Sequence, residues 1–311
     1  MNSIIASFFR YIDVSERTQA AYRNALRQLF KFLTERSISE PSRNDILSFR
    51  HHLEARNRKP GTIALYLAAC RRFFAWTEHA GLYPNIALGV KAPKQEPGPK
   101  RDCLCADQLR TILNSIDRTT PLGRRNFAIL ALMSVGGLRT IELVRANIDD
   151  LRRIGNHTCL FVQGKGRNSK AEFVKLPAPV LKAVREYLAD RGHPGKDAPL
   201  FVSMSFRNRN SRLSTRSISF ICKSAMRKNG FNSARLTAHS LWHSAITISL
   251  LAGLPLSDVQ AFARHKSINT TMIYAHHVDR LSNSCEDTIC NAVFQNFIRK
   301  ITDSLAFFGS V

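Results

Sequence analysis

The stretch Lys91-Ala-Pro-Lys-Gln-Glu-Pro-Gly-Pro-Lys-Arg101 divides this chain in two. Each proline removes a backbone donor, fixes φ and pushes the residue before it toward extended backbone, so neither helix nor strand runs through it. With no apolar periodicity and several basic residues, 91–101 reads as a linker. It leaves residues 1–90 as one domain and 102–311 as another, and 311 residues suffice for two cores.

Upstream of the linker every apolar pattern is helical. Ser15 is placed to cap a helix over 15–35, whose Tyr22, Leu26, Leu29, Phe30 and Leu33 fall on one face. Asn44 to Arg56 repeats the pattern with Ile46, Leu47, Phe49 and Leu53, and Pro60-Gly61-Thr62 opens a third helix with Ile63, Leu67, Cys70 and Phe74. Arg56, Arg58, Lys59, Arg71 and Arg72 are left for solvent or for phosphate. Downstream the patterns are mixed. Helices are expected at 106–116, at 123–135 ending on Gly136-Gly137, and at 178–191, 214–229, 239–252, 255–263 and 268–275. Two strands, Thr158–Gln163 and Glu172–Leu176, flank the polar turn Gly164-Lys-Gly-Arg-Asn-Ser-Lys170. The expected fold is mainly α with a small β-sheet: an all-helical N-terminal domain and an α+β second domain.

Forty-six Lys and Arg against 23 Asp and Glu give a net charge of +23, and this excess lies within patterned helices, not in a tail. A solvated surface is the plain reading; a folded nucleic-acid binder fits the distribution better. Such charge gives salt-dependent phosphate affinity without sequence specificity. The seven cysteines are odd in number and contain no CxxC pair, so buried or inert thiols in a reducing compartment are expected. The N-terminal MNSIIASFFRYIDVSERT lacks the charge and apolar run of a signal peptide. No apolar stretch approaches a membrane span, so a soluble cytoplasmic protein is expected.

Chemistry concentrates in the last third: His239-Ser-Leu-Trp-His243, then Ala263-Arg-His265, then Thr270-Thr-Met-Ile-Tyr274-Ala-His-His277. A tyrosine preceded by three imidazoles in a basic chain suits attack of a phenolic oxygen on a DNA phosphate. His239 and His243, one helical turn apart, could instead hold a metal, but the metalloprotease pattern needs Glu where Ser240 stands. No metal site is expected.

Together with Gly137-Leu-Arg-Thr-Ile-Glu-Leu143, the Gly164-Lys-Gly166 turn and the Ser15-x-x-Thr18-x-x-x-Tyr22 opening, these motifs resemble the tyrosine recombinases, the phage integrases and Xer-type enzymes. The resemblance spans nearly the whole chain and implies a core-binding domain followed by a catalytic domain. It implies a site-specific DNA recombinase working by integration, excision or resolution. Tyr274 would attack a strand phosphate to give a 3′-phosphotyrosyl link and a free 5′-hydroxyl, with neither ATP, metal nor other cofactor.

By the same resemblance Arg139 would fork two phosphate oxygens. Glu142 would orient it, although an ordinary i,i+3 helix pair explains Glu142 too. Lys165 would protonate the leaving 5′-oxygen, with Lys170 close enough to compete for that assignment. His239 would bind phosphate or act as base, and His265 would donate to the phosphate. His243 reads as a packed or hydrogen-bonded neighbour, and His276 and His277 gain no role.

The family's second arginine falls at position 242, where this chain has Trp. An indole offers one neutral N–H and cannot clamp a phosphate. Loss of such a donor costs on the order of 10²–10³ in rate, so cleavage is expected to be impaired and DNA binding largely kept. Arg235 and Arg264 are the candidates to compensate.

The implied partners are double-stranded DNA at specific recombination sites, three further copies in a homotetramer, and accessory DNA-bending proteins; a bacterial copy would be nucleoid-associated, and none is a membrane. The apolar stripe from Ile289 to Phe308 either docks on a neighbouring protomer or packs on its own domain. A core-binding pattern that starts near residue 15 leaves no room for an arm-binding domain. Rival readings are a type IB topoisomerase, told apart by relaxation of any supercoil, and a non-catalytic DNA-binding protein, told apart by whether Trp242→Arg restores covalent chemistry.

Overall fold

The computed structural model describes residues 2–94, 102–164, 166–192, 194–282, 288–290 and 293. The chain divides into two compact units, Met1–Pro97 and Gly98–Val311. No helix among the described residues is long and apolar enough to cross a membrane.

The first unit is four helices: α1 (Asn2–Tyr11), α2 (Glu16–Glu35), α3 (Arg43–Ala55) and α4 (Pro60–His79). The Ser15 side chain accepts from the Thr18 backbone N–H and so starts α2, and Pro60 sits at the first turn of α4, where a missing N–H costs nothing. Leu26, Leu29 and Phe32 of α2 meet Ile63, Leu67 and Cys70 of α4, with Ile46 and Phe49 of α3 closing the core. Asn24 donates to the Tyr66 hydroxyl at 3.0 Å across the α2–α4 seam. Helix α1 was not expected from the sequence. Phe8 buries fully against Phe73 and Trp76, so a stretch too short to read alone is held by tertiary packing.

The second unit runs α5 (Ala106–Asn114), α6 (Pro121–Ser134), α7 (Thr140–Arg145), β1 (Leu151–Ile154), β2 (His157–Val162), β3 (Glu172–Lys175), α8 (Ala178–Ala189), α9 (Thr215–Lys228), α10 (Ala238–Leu251), α11 (Leu256–Ala263) and α12 (Ile268–Ser282). The strands form an antiparallel sheet in the order β1-β2-β3, with Leu160 opposite both Leu151 and Val174. The strand β1 is a correction: only two were expected. Its Arg152, Arg153 and Ile154 are exposed, so it lacks the alternation that marks a strand, and pairing with β2 supplies the reason it forms. Helix α6 is the spine, with Ala128 to Met133 buried throughout and α8 and α10 packed on it.

The thiols divide between core and surface, and one helix end changes. Cys70, Cys159 and Cys222 are buried, but Cys103, Cys105 and Cys290 are exposed. In the extended entry to α5, Leu104 points into the core and the cysteines on either side point out. Helix α12 continues past 275 to Ser282. Of the Ile289–Phe308 stripe, Ile289 and Val293 are exposed, and the rest lies outside the described residues.

Candidate active site

Four helix ends in the second unit meet around Trp242. The turn Gly136-Gly137 stops α6, with Gly137 at φ +56. A Cβ there would sit 2.6 Å from Cζ of Phe262, so only glycine lets the end of α11 lie against this turn. Arg139 follows as the residue that starts α7.

Arg139 and Arg264 share one carboxylate. Nη1 of Arg139 donates to Oε1 of Glu142 at 3.0 Å, and Nη2 of Arg264 donates to Oε2 at 3.0 Å. Glu142 is fully buried and also accepts from the Arg139 backbone N–H at 2.8 Å, which caps α7. Arg139 reaches on to the Ala263 carbonyl at 2.8 Å, while Arg264 donates to the carbonyls of Phe262 and Gly137. Arg264 adopts the left-handed conformation at the end of α11 (φ +54), and its side chain is almost fully buried. Glu142 is therefore more than an i,i+3 partner: it ties α7 to α11 and sets the direction of the Arg139 guanidinium.

Trp242 on α10 is 4% exposed, and its Nε1 has no hydrogen-bond partner. The Arg139 guanidinium lies over its ring, 4.5 Å from the centroid, and the His239 imidazole stacks on it at 4.6 Å and 11°. His265 and Tyr274 present ring edges or faces to it at 5.2 and 6.1 Å. A buried indole N–H left unpaired costs free energy, of order 1–3 kcal/mol. The site thus closes around a ring that fits its volume but not its polarity.

Tyr274 is buried on α12, and its hydroxyl is hydrogen-bonded to Nδ1 of His243. Burial pushes the phenol up from its ordinary value, opposed by the positive charge of Arg139. His265 is hydrogen-bonded through Nδ1 to Oγ1 of Thr271 at 2.8 Å, and its buried Nε2 has no partner. Burial, then the nearby Arg139 and Arg264, pull its imidazole down to about 4, so it is neutral at pH 7.

The structure brings Arg139, Glu142, His239, His265 and Tyr274 together with Trp242. Lys165 lies outside the described residues. Its neighbour Gly164 abuts the site: a Cβ on it would be 3.8 Å from Oε1 of Glu142, and its carbonyl accepts from Arg145 at 2.9 Å. Lys170 is paired with the buried Asp150 at 2.5 Å. Arg235 pairs with Asp102 at 2.6 Å, and Arg264 spends its donors internally, so neither occupies the missing arginine's place. His276 is exposed, and the side chain of His277 lies outside the described residues.

His243, expected as a packed or hydrogen-bonded neighbour, is bonded to the Tyr274 hydroxyl, and Thr271, which the sequence did not single out, holds His265. The signal for His243 was its position one turn after His239, on the same face of α10. In the first unit Arg56, Arg58, Lys59 and Arg72 are exposed, whereas Arg71 is half-buried and donates to the Val90 carbonyl at 2.6 Å.

Residues 102–280 match the phage integrase family, and residues 5–81 match the phage integrase N-terminal SAM-like domain. The chain belongs to the phage integrase family. Tyrosine recombinase XerD of Listeria innocua serovar 6a is 30% identical over 289 residues, covering 89% of this chain and 94% of that one. Tyrosine recombinase XerC of a Roseiflexus species is 31% identical over 288 residues, covering 89% and 90%. In fold, this recombinase is similar to the XerH site-specific recombinase in a post-cleavage complex with its difH substrate. That likeness has a TM-score of 0.71 and 20% identity, over 86% of this chain and 80% of that one. A lambda integrase (75–356) dimer bound to a core site gives a TM-score of 0.68 and 16% identity, over 87% of this recombinase and 96% of that chain. The relatives make it a tyrosine-type site-specific recombinase, a DNA strand transferase, and do not favour the non-catalytic or topoisomerase readings.

Proposed function

We propose that the recombinase cleaves and rejoins double-stranded DNA at specific sites with Tyr274 as nucleophile, Arg139 as the phosphate clamp oriented by Glu142, and His239 and His265 as phosphate-side imidazoles. The single observation that carries this is the convergence of the Tyr274 hydroxyl, the Arg139 guanidinium and these imidazoles around position 242. His265 Nε2, buried and without a protein partner, is the donor best placed to meet a phosphate oxygen, with the ring proton on that nitrogen. Lys165 is the proposed acid for the leaving 5′-oxygen, carried by the turn that starts at Gly164.

Trp242 sets the rate. Its ring fills the place where a second guanidinium would meet developing charge, and it must yield volume for a phosphate to reach Arg139. Cleavage by the chain as it stands is slow relative to a two-arginine site. The exposed Arg56, Arg58, Lys59 and Arg72 are the proposed phosphate contacts of the first unit, with Arg71 serving mainly to hold the segment after α4. The working assembly is a cytoplasmic homotetramer on paired sites, helped by DNA-bending proteins, with residues 1–90 and 102–311 as the two DNA-binding domains joined by 91–101.

Covalent trapping on nicked duplexes tests the reading. Trp242→Arg is expected to raise the yield rate of protein–DNA adduct by about 10²–10³-fold over the parent, and Tyr274→Phe to abolish it with duplex binding intact. An adduct that persists in Tyr274→Phe would sink the assignment of the nucleophile.

A further inference from the structure

We propose that His243, a residue outside the arginine, lysine and H-x-x-R positions described above, is the base that takes the proton from Tyr274. This rests on Tyr274 being the nucleophile. Three imidazoles stand around Trp242, and one of them bonds the phenol. His265 has its Nδ1 on Thr271, and its ring lies 6.1 Å from that of Tyr274. His239 is exposed and stacked on Trp242. His243 is hydrogen-bonded through Nδ1 to the phenolic oxygen, from a buried position one turn along α10.

The need for a base is built into the site. Tyr274 is 8% exposed, and burial holds its hydroxyl in the neutral form, so free ionisation near neutral pH supplies very little phenolate. A neutral imidazole with its proton on Nε2 leaves the Nδ1 lone pair facing the O–H. As the Tyr274 oxygen bonds to phosphorus, its proton passes to Nδ1. The bond from phosphorus to the 5′-oxygen breaks, and that oxygen takes a proton from the acid on the opposite side. In rejoining, a 5′-hydroxyl attacks, the tyrosyl oxygen leaves, and the imidazolium returns its proton to the phenol. Among the described residues, Arg139 over Trp242, His239 at 4.5 Å from His243 by ring centroids and His265 at 6.1 Å from Tyr274 stand on this face.

The test measures the rate of Tyr274-dependent adduct formation on nicked duplexes, in the parent chain and in Trp242→Arg side by side. Duplex binding and thermal melting serve as checks of folding. His243→Gln is expected to slow the adduct by about 10²–10⁴-fold, and His243→Ala to be partly restored by added imidazole. A duplex with a sulfur leaving group at the 5′-bridging position, which needs no acid, is expected to leave the His243→Gln defect in place. Adduct formation by His243→Gln within threefold of its parent overturns the proposal and leaves the recombinase reading standing. So does a defect that the sulfur duplex repairs, or one that imidazole fails to restore in His243→Ala. No Tyr274-dependent adduct from either background, with duplex bound, overturns both the nucleophile assignment and the proposal.

Discussion

Glu142 illustrates how one side chain can hold a site in shape. It is fully buried between the guanidiniums of Arg139 and Arg264, and removing one member of a buried ion cluster leaves the others uncompensated. Glu142→Gln should lower stability by about 3–5 kcal/mol, read as a shift in the denaturant midpoint without a change of slope. His265 makes a pH prediction. Its imidazole titrates near 6.5 when unfolded and is held down to about 4 by burial when folded, so the unfolded chain binds more protons between those values. Its contribution is complete above pH 6.5 and is lost as the pH falls toward 4. The melting temperature should drop across that window, and His265→Gln should flatten the drop. An equally steep profile in the variant would show that other groups govern it.

At the scale of elements, the site depends on how the α6–α7 turn meets the end of α11. Gly137 combines a positive φ with a ring of Phe262 where a Cβ would stand. Gly137→Ala should therefore cost about 1–3 kcal/mol from backbone strain alone, with more from displacement of Phe262. Because Arg264 donates to the Gly137 carbonyl, the same change should disturb Arg139 and slow adduct formation more than it weakens DNA binding. Chemical denaturation and trapping on the one variant separate these effects. A similar closeness fixes Gly123, where a Cβ would fall 1.6 Å from the Asp117 carbonyl oxygen in the first turn of α6.

Across the whole molecule, a net charge of +23 should make DNA affinity strongly dependent on salt, and the proposed tetramer needs a surface that charge does not supply. Ile289 and Val293 are exposed large apolar residues after α12. Deleting 288–311 should leave single-site binding and its salt slope unchanged and abolish tetrameric synapsis, as read by sedimentation on paired sites. Tetramers that persist in the truncated chain would assign this segment to its own protomer.

Much of this was legible in the chain itself. Helical periodicity marked α2 to α6 and α8 to α12, the order Arg139, His239, His265, Tyr274 carried the family resemblance, and the indole at position 242 stood out as the departure from it. These are local patterns, set by backbone sterics and by which residues one helix can bury. Other features were decided by packing between distant segments. Arg139 finds the Ala263 carbonyl across 124 residues, and Arg264 turns inward to Glu142 instead of standing in for the missing arginine. The Tyr274 hydroxyl meets Nδ1 of His243, while its ring stacks on His265, because α10 and α12 pack together there, a contact between residues 31 apart that no sequence spacing specifies. Sequence thus determined which groups the recombinase holds around position 242, and tertiary structure decided which of them touch, because contact depends on where helices end and not on what they are made of.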